Sequence, residues 1–249
     1  MSLYLIGLGL NDEKDISLKA VENLKKCDTV YVEFYTNKWH GDLKTLEKII
    51  GKKIEALPRE KVESEMLVEK AKEKTVALLI PGDPLSATTH LELIETAKLE
   101  NIEVKIIHSS SIYTAVAESG LQLYKFGRAT TLCYPEKGFA PESPYEAITE
   151  NQKLGLHTLV LLDVKPDRNM TINEGLELLL KLEEKKLASA ITLSSKIIAC
   201  CQLGGKAQTM IYDTVENLLK KDPTAVPACI LVPGKLNFKE EEFLEFLSD

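Results

Sequence analysis

Between Val76 and His90 the chain reads VALLIPGDPLSATTH, an apolar run ending in a turn that carries one acid, Asp83, between Gly82 and Pro84. At the carboxyl end of a strand, such a carboxylate can accept hydrogen bonds from a ligand's amine or hydroxyls. It can equally cap the N–H groups of a following helix, with Pro84 in the first turn. Both readings are open on the residues alone. The opening stretch YLIGLGLND places Gly7-x-Gly9 at the end of a first strand, but Asp12 stands where a dinucleotide fingerprint needs its third glycine. A tight turn, or a backbone lip over a ligand, fits better. HSSSIYTAV repeats the placement with Ser109, Ser110 and Ser111 ahead of a helix. Those hydroxyls suit helix capping or ligand contact, and no G-x-S-x-G surrounds them to make a nucleophile.

Other reactive side chains form no constellation. His40, His90, His108 and His157 lack H-x-x-x-H or H-E-x-x-H spacing, so no metal site is expected. His90 falls on a helix face, and His157 opens a buried strand as a satisfied core residue. The five cysteines are scattered without a C-x-x-C pair and read as reduced thiols of a cytoplasmic protein. Leu176, Leu179 and Leu180 have ordinary core spacing, and Glu183 to Lys186 read as a solvated face.

The elements that must position these residues follow from periodicity. Strands are expected at 3–9, 28–35, 53–57, 75–80 and 102–107, with helices at 15–27 (capped by Asp15), 42–50, 60–73 and 87–100. Continuous apolar strands joined by helices predict a parallel sheet covered on both faces. After GLQLYKFGR the rhythm changes. Strands near 129–134 and 156–163 are followed by a helix at 171–186 and strands at 189–199 and 206–211. A helix at 213–220, a strand at 227–232 and a helix at 238–247 close the chain. Strands in direct succession predict a mixed sheet. The expectation is two α/β domains, 1–125 and 126–249. With 249 residues, 44% hydrophobic and 28% charged, the chain can bury two cores. A net charge of −7 without a basic stripe argues against nucleic acid, and no apolar run is long enough for a membrane span.

Read together, YLIGLGL, CDTVYVEFYT, PGDPLSATTH, SIYTAV with GLQLYKFG, GLHTLVLLDVK and VPGKL resemble the diphthine synthase family. That family lies within the tetrapyrrole-methylase-like class of S-adenosylmethionine-dependent methyltransferases. PGDPL carries the broad class; YKFG and GLHTL carry the narrower match. The resemblance implies two α/β domains with the cofactor cleft between them, usually in a homodimer. It implies cofactor contacts at Leu10, Asp83, Ser86, Ser111, Ile112, Leu162 and Ala228. Where the family shows Ala-Arg-x-Gly this chain reads ACCQLGGK, which puts a further contact at Gln202 or Leu203. Ser109 and Ser110 replace a frequent Ala-Pro. The implied reaction is trimethylation of the amino group of a 3-carboxy-3-aminopropyl chain on a histidine of translation elongation factor 2. No metal is called for, and no catalytic base is assigned. The alternatives weighed are a carbon methyltransferase acting on a precorrin-type tetrapyrrole and a nucleoside-binding protein without turnover.

Overall fold

The computed structural model describes residues 1–248. The chain divides into two compact units, Met1–Tyr113 and from Thr114 onward, a division ahead of the 125/126 boundary read from the sequence. The segment after Tyr113 goes with the second unit because its contacts lie there. The Gln122 amide donates to Glu240, and Gly120 lies so close to the Phe243 ring that an added Cβ would sit 2.2 Å from it.

In chain order the first unit contains β1 (Ser2–Gly7), α1 (Leu18–Leu24), β2 (Thr29–Val32), α2 (Leu43–Ile50) and β3 (Ile54–Ala56). It continues with α3 (Arg59–Val62), α4 (Met66–Glu73), β4 (Val76–Ile80), α5 (Leu91–Leu99) and β5 (Glu103–Ile107), and the four-residue α6 (Ile112–Ala115) runs across the division. The five strands form one parallel sheet in the order β3-β2-β4-β1-β5, with Leu3 opposite Val76 on one side and Val104 on the other. Period-2 alternation divides the strands between two cores. Leu3, Leu5, Leu78 and Ile80 pack with Leu67 and Ile94 on one face; Ile6, Ala77 and Leu79 pack with Ala20, Leu24 and Leu46 on the other. Burial on both faces explains why these strands read as unbroken apolar runs.

Two helix starts differ from expectation. Ser17, not Asp15, caps α1, its Oγ accepting from the Ala20 N–H at 3.1 Å. Asp15 instead accepts from the amides of Asn11 and Asp12 and shapes the turn before the helix. The helix expected from 87 begins only at Leu91, and Ala87 itself adopts a left-handed φ of 58°, which excludes it from a right-handed helix.

The second unit contains β6 (Thr130–Leu132), α7 (Ser143–Lys153), β7 (Thr158–Leu162), α8 (Ile172–Lys186), β8 (Lys196–Cys201), β9 (Thr209–Thr214), α9 (Val215–Lys221), β10 (Ala228–Val232) and α10 (Phe238–Glu245). Its sheet has the order β6-β7-β10-β8-β9 and is mixed: β6 runs parallel to β7, while β10 is antiparallel to both β7 and β8. Helix α7 stands where the sequence predicts no element. Pro144 in its first turn and the buried pair Tyr145 and Ile148 are helix signals, diluted by the polar residues between them. Helix α8 opens with a capping box, Thr171 and Glu174 each bonding the other's backbone. Glu183 is no solvated residue: its carboxylate takes the Tyr145 hydroxyl and the amides of Ser189, Ala190 and Ile191. Cys27, Cys200, Cys201 and Cys229 are buried free thiols and Cys133 is half-buried. No helix among the described residues is long and apolar enough to cross a membrane.

Candidate cofactor site

Because every strand of the first sheet points the same way, the loops after β1, β2, β4 and β5 all emerge at one edge. Two glycine turns are joined there. Gly9 N–H donates to Gly82 O at 3.1 Å and Gly82 N–H to Gly9 O at 2.8 Å, stapling the loop after β1 to the loop after β4. Both glycines have positive φ, 83° and 73°. Gly7 is required for a different reason: a Cβ there would lie 2.5 Å from Gly82 O and 2.7 Å from Ser109 Cβ. The cradle is thus made of backbone in close approach, as at sites that accept an extended polar ligand on the sheet edge.

Asp83 ties this cradle to the third loop. Its Oδ1 accepts from the Leu85 N–H at 3.0 Å and the Ser86 hydroxyl at 3.3 Å. Its Oδ2 accepts from the Ser109 N–H at 3.1 Å and lies 2.7 Å from His108 Nδ1. Burial opposes ionisation of this side chain, yet the Leu85 and Ser109 amides and the His108 ring outweigh it and hold the carboxyl below the ordinary aspartate value. No helix starts at Pro84, so Asp83 caps a turn rather than α5. Its acceptor positions are taken by its own loop and by the loop after β5.

The expected contacts fall into two groups. Leu10 follows the Gly9 turn, Asp83 and Ser86 share one loop, and Ser111 with Ile112 follows β5; all five belong to the first unit's carboxyl edge. Ser111 is buried, and Leu10, Ser86 and Ile112 are half-buried. In the second unit, antiparallel pairing gathers the rest. Cys229 faces Leu161 and Ala228 faces Cys201, so Leu162, Ala228, Gln202 and Leu203 line one edge of that sheet. Gln202 holds a left-handed φ of 50°, its amide N–H donating to Pro227 O and its side-chain NH2 to Val226 O.

Two buried side chains at the first edge have no counterpart among the expected contacts. His90 does not ride a helix face: it is buried at the start of α5, its Nε2 3.4 Å from the Tyr35 hydroxyl, and burial lowers its pKa to about 4. Glu33, directly after β2, is wholly buried. Burial pushes its carboxyl up to about 7, against the Thr36 hydroxyl and the Thr36 and Tyr35 amides that donate to it. The signal in the sequence is a lone acid inside the apolar run TVYVEFY, which a strand reading absorbs.

A family model for Tetrapyrrole (Corrin/Porphyrin) Methylases matches residues 2–219. The chain is 44% identical over 252 residues to a diphthine synthase of Methanococcus aeolicus, covering 99% of this chain and 98% of the relative. It is 43% identical over 254 residues to a diphthine synthase of Methanocaldococcus jannaschii, covering 99% of each. A crystal structure of diphthine synthase matches with a TM-score of 0.91 and 34% identity, over 100% of this chain and 96% of the other.

Proposed function

Because the chain belongs to the tetrapyrrole methylase family, among its diphthine synthases, and is an S-adenosylmethionine-dependent methyltransferase, we propose that it methylates elongation factor 2. The acceptor is the amino group of a 3-carboxy-3-aminopropyl chain on a histidine, carried to the trimethylammonium form. The observation that carries this reading is the glycine-stapled, Asp83-tied loop set at the carboxyl edge of the first sheet, in a chain that matches diphthine synthases over its whole length.

The residues fit the cofactor. The open side of the stapled turns lies at Gly82, where an added Cβ would meet nothing within 4 Å, and Leu10, Ser86, Ser111 and Ile112 stand on loops that leave the same edge. Leu162, Gln202, Leu203 and Ala228 are proposed as the contacts supplied by the second unit. When bound, S-adenosylmethionine supplies an electrophilic methyl group on a sulfonium. Asp83 contributes by locking the loops after β4 and β5 into one geometry, so that the donors around it are preorganised. An α-amino group of pKa roughly 7.7–8.0 is about one-tenth neutral near pH 7, so positioning is the larger part of catalysis. Alignment of this kind is worth on the order of 7–11 kcal/mol.

Elongation factor 2 bearing the unmethylated side chain, incubated with the protein and labelled cofactor, should gain three methyl groups by mass spectrometry; no transfer would refute the reading. Asp83→Ala should raise the Kd for S-adenosylhomocysteine by about tenfold or more in calorimetry, a loss of about 1.4 kcal/mol, with the circular dichroism spectrum retained. An unchanged Kd would show that the loop lock at Asp83 does not bear on cofactor binding.

A further inference from the structure

Two carboxyls sit on the adjacent loops after β2 and β4, and their surroundings separate them. Asp83 has the His108 ring beside it and two amides on it. Glu33 is fully buried and receives only local donors: the Tyr35 N–H at 2.9 Å, the Thr36 N–H at 3.1 Å and the Thr36 hydroxyl. Its own N–H is tied to Leu79 O at 3.1 Å, extending the β2–β4 ladder to the sheet's edge. Thr36, in contrast, is half-buried, with its hydroxyl hydrogen committed to Glu33 Oε1. A hydroxyl that donates inward keeps its oxygen lone pairs for a donor on the outer side.

Resting on the methyltransferase reading above, we propose that Thr36 and Glu33 form the relay that takes the proton from the acceptor amine. An alkylammonium has no lone pair and cannot attack carbon. For each transfer, one ammonium proton passes to Thr36 Oγ1 while the Thr36 hydroxyl proton passes to Glu33 Oε1. The freed nitrogen pair forms the N–C bond as the S–C bond breaks, its electrons staying on sulfur, and between rounds the proton leaves Glu33 back through the half-buried Thr36 hydroxyl to solvent. Three methyl transfers release three protons. Thr36 is the catalytic residue of the pair and Glu33 the positioning residue behind it.

A carboxyl that titrates near 7 is matched to this task, whereas the permanently ionised Asp83 is not. A second titratable group near Glu33 is the Tyr35 phenol, which burial raises to about 12, so it stays neutral. Behind that phenol lie His90, held neutral by burial, and the mutually paired Arg59 and Glu63 at 2.8 Å. None of these supplies a competing base at the Thr36 hydroxyl.

The test is the pH profile of kcat on the elongation-factor substrate, with S-adenosylhomocysteine calorimetry alongside. Glu33→Gln and Thr36→Val should each lower kcat at pH 7 by about tenfold, the limit set by the roughly one-tenth of the amine that is already neutral there. Both should leave the Kd for S-adenosylhomocysteine within twofold, and Thr36→Ser should restore most of the rate. The infrared band of a protonated carboxyl titrating near 7 should vanish in Glu33→Gln. Wild-type kcat in Thr36→Val, or a rate loss that Thr36→Ser does not recover, would overturn the relay while leaving the methyltransferase reading intact. A wild-type protein that binds S-adenosylhomocysteine yet transfers no methyl to the amine would overturn both.

Discussion

Glu33 shows how position in a sheet decides what a residue type becomes. In the run TVYVEFY an acid at the fifth place looks like the polar exception of a half-exposed strand. The sheet is covered on both faces, so the side chain is enclosed wherever it points, and its charge must be carried by neighbours or suppressed. The amides of Tyr35 and Thr36 and one hydroxyl do not suffice, and burial lifts the carboxyl to about 7. The consequence for stability has a definite sign. A glutamate raised from 4.5 contributes its full share below about 4.5 and loses it as pH rises towards 7. Glu33→Gln removes that titration. Urea unfolding at pH 5 and at pH 8 should therefore show the variant gaining on the wild type by about 3 kcal/mol across the interval. A difference that does not change with pH would mean the carboxyl ionises freely in the folded state.

At the scale of elements, what was legible in the sequence was whatever a strand or helix announces by its own periodicity. Fully apolar strands such as VALLI, and the capped helix after Thr171, are local patterns with local causes. The five parallel strands also fixed which loops would share an edge, and so which loop residues could meet. What stayed hidden was the bonding between loops: Asp83 reaches the Ser109 amide as well as the Leu85 amide of its own turn, and no motif encodes that contact. Helix α7 was missed because only Tyr145 and Ile148 carry its buried stripe clearly. The glycine turns carry an element-scale prediction. Gly82→Ala meets nothing within 4 Å and suffers only the cost of its φ of 73°, about 1–2 kcal/mol. Gly7→Ala drives a Cβ into Gly82 O and must push the two loops apart. S-adenosylhomocysteine affinity should consequently fall much further in Gly7→Ala than in Gly82→Ala, and equal losses would refute the cradle.

For the whole molecule, three stretches that carry the family resemblance but none of the expected cofactor contacts meet at one buried carboxylate. Glu240, in the first turn of α10, accepts from the Gln122 N–H, the Asn237 N–H and Lys125 Nζ, and pairs with His157 Nε2 at 3.0 Å. Lys125 comes from YKFG and His157 from GLHTL, while Gly234 of VPGKL donates its N–H to His157 Nδ1 at 2.9 Å. That last bond fixes the tautomer: Nδ1 accepts, so Nε2 carries the hydrogen that Glu240 receives. Burial, against the pull of Glu240, lowers the pKa of the ring and keeps it neutral. These residues lock the closing helix and the segment after Gly120 onto the second sheet; their work is architectural. Burial alone would raise the Glu240 carboxyl, but Lys125, the two amides and His157 bring it down to about 2. The sign is opposite to that of Glu33: this contribution is complete above about 4.5 and is lost as pH falls towards 2. Glu240→Ala leaves a lysine and a histidine without their common acceptor in a buried site, which costs about 3–5 kcal/mol. Thermal unfolding at pH 7 should show that loss, and the gap between wild type and variant should narrow in acid. A variant as stable as the wild type at pH 7 would mean that α10 is held by its apolar contacts alone.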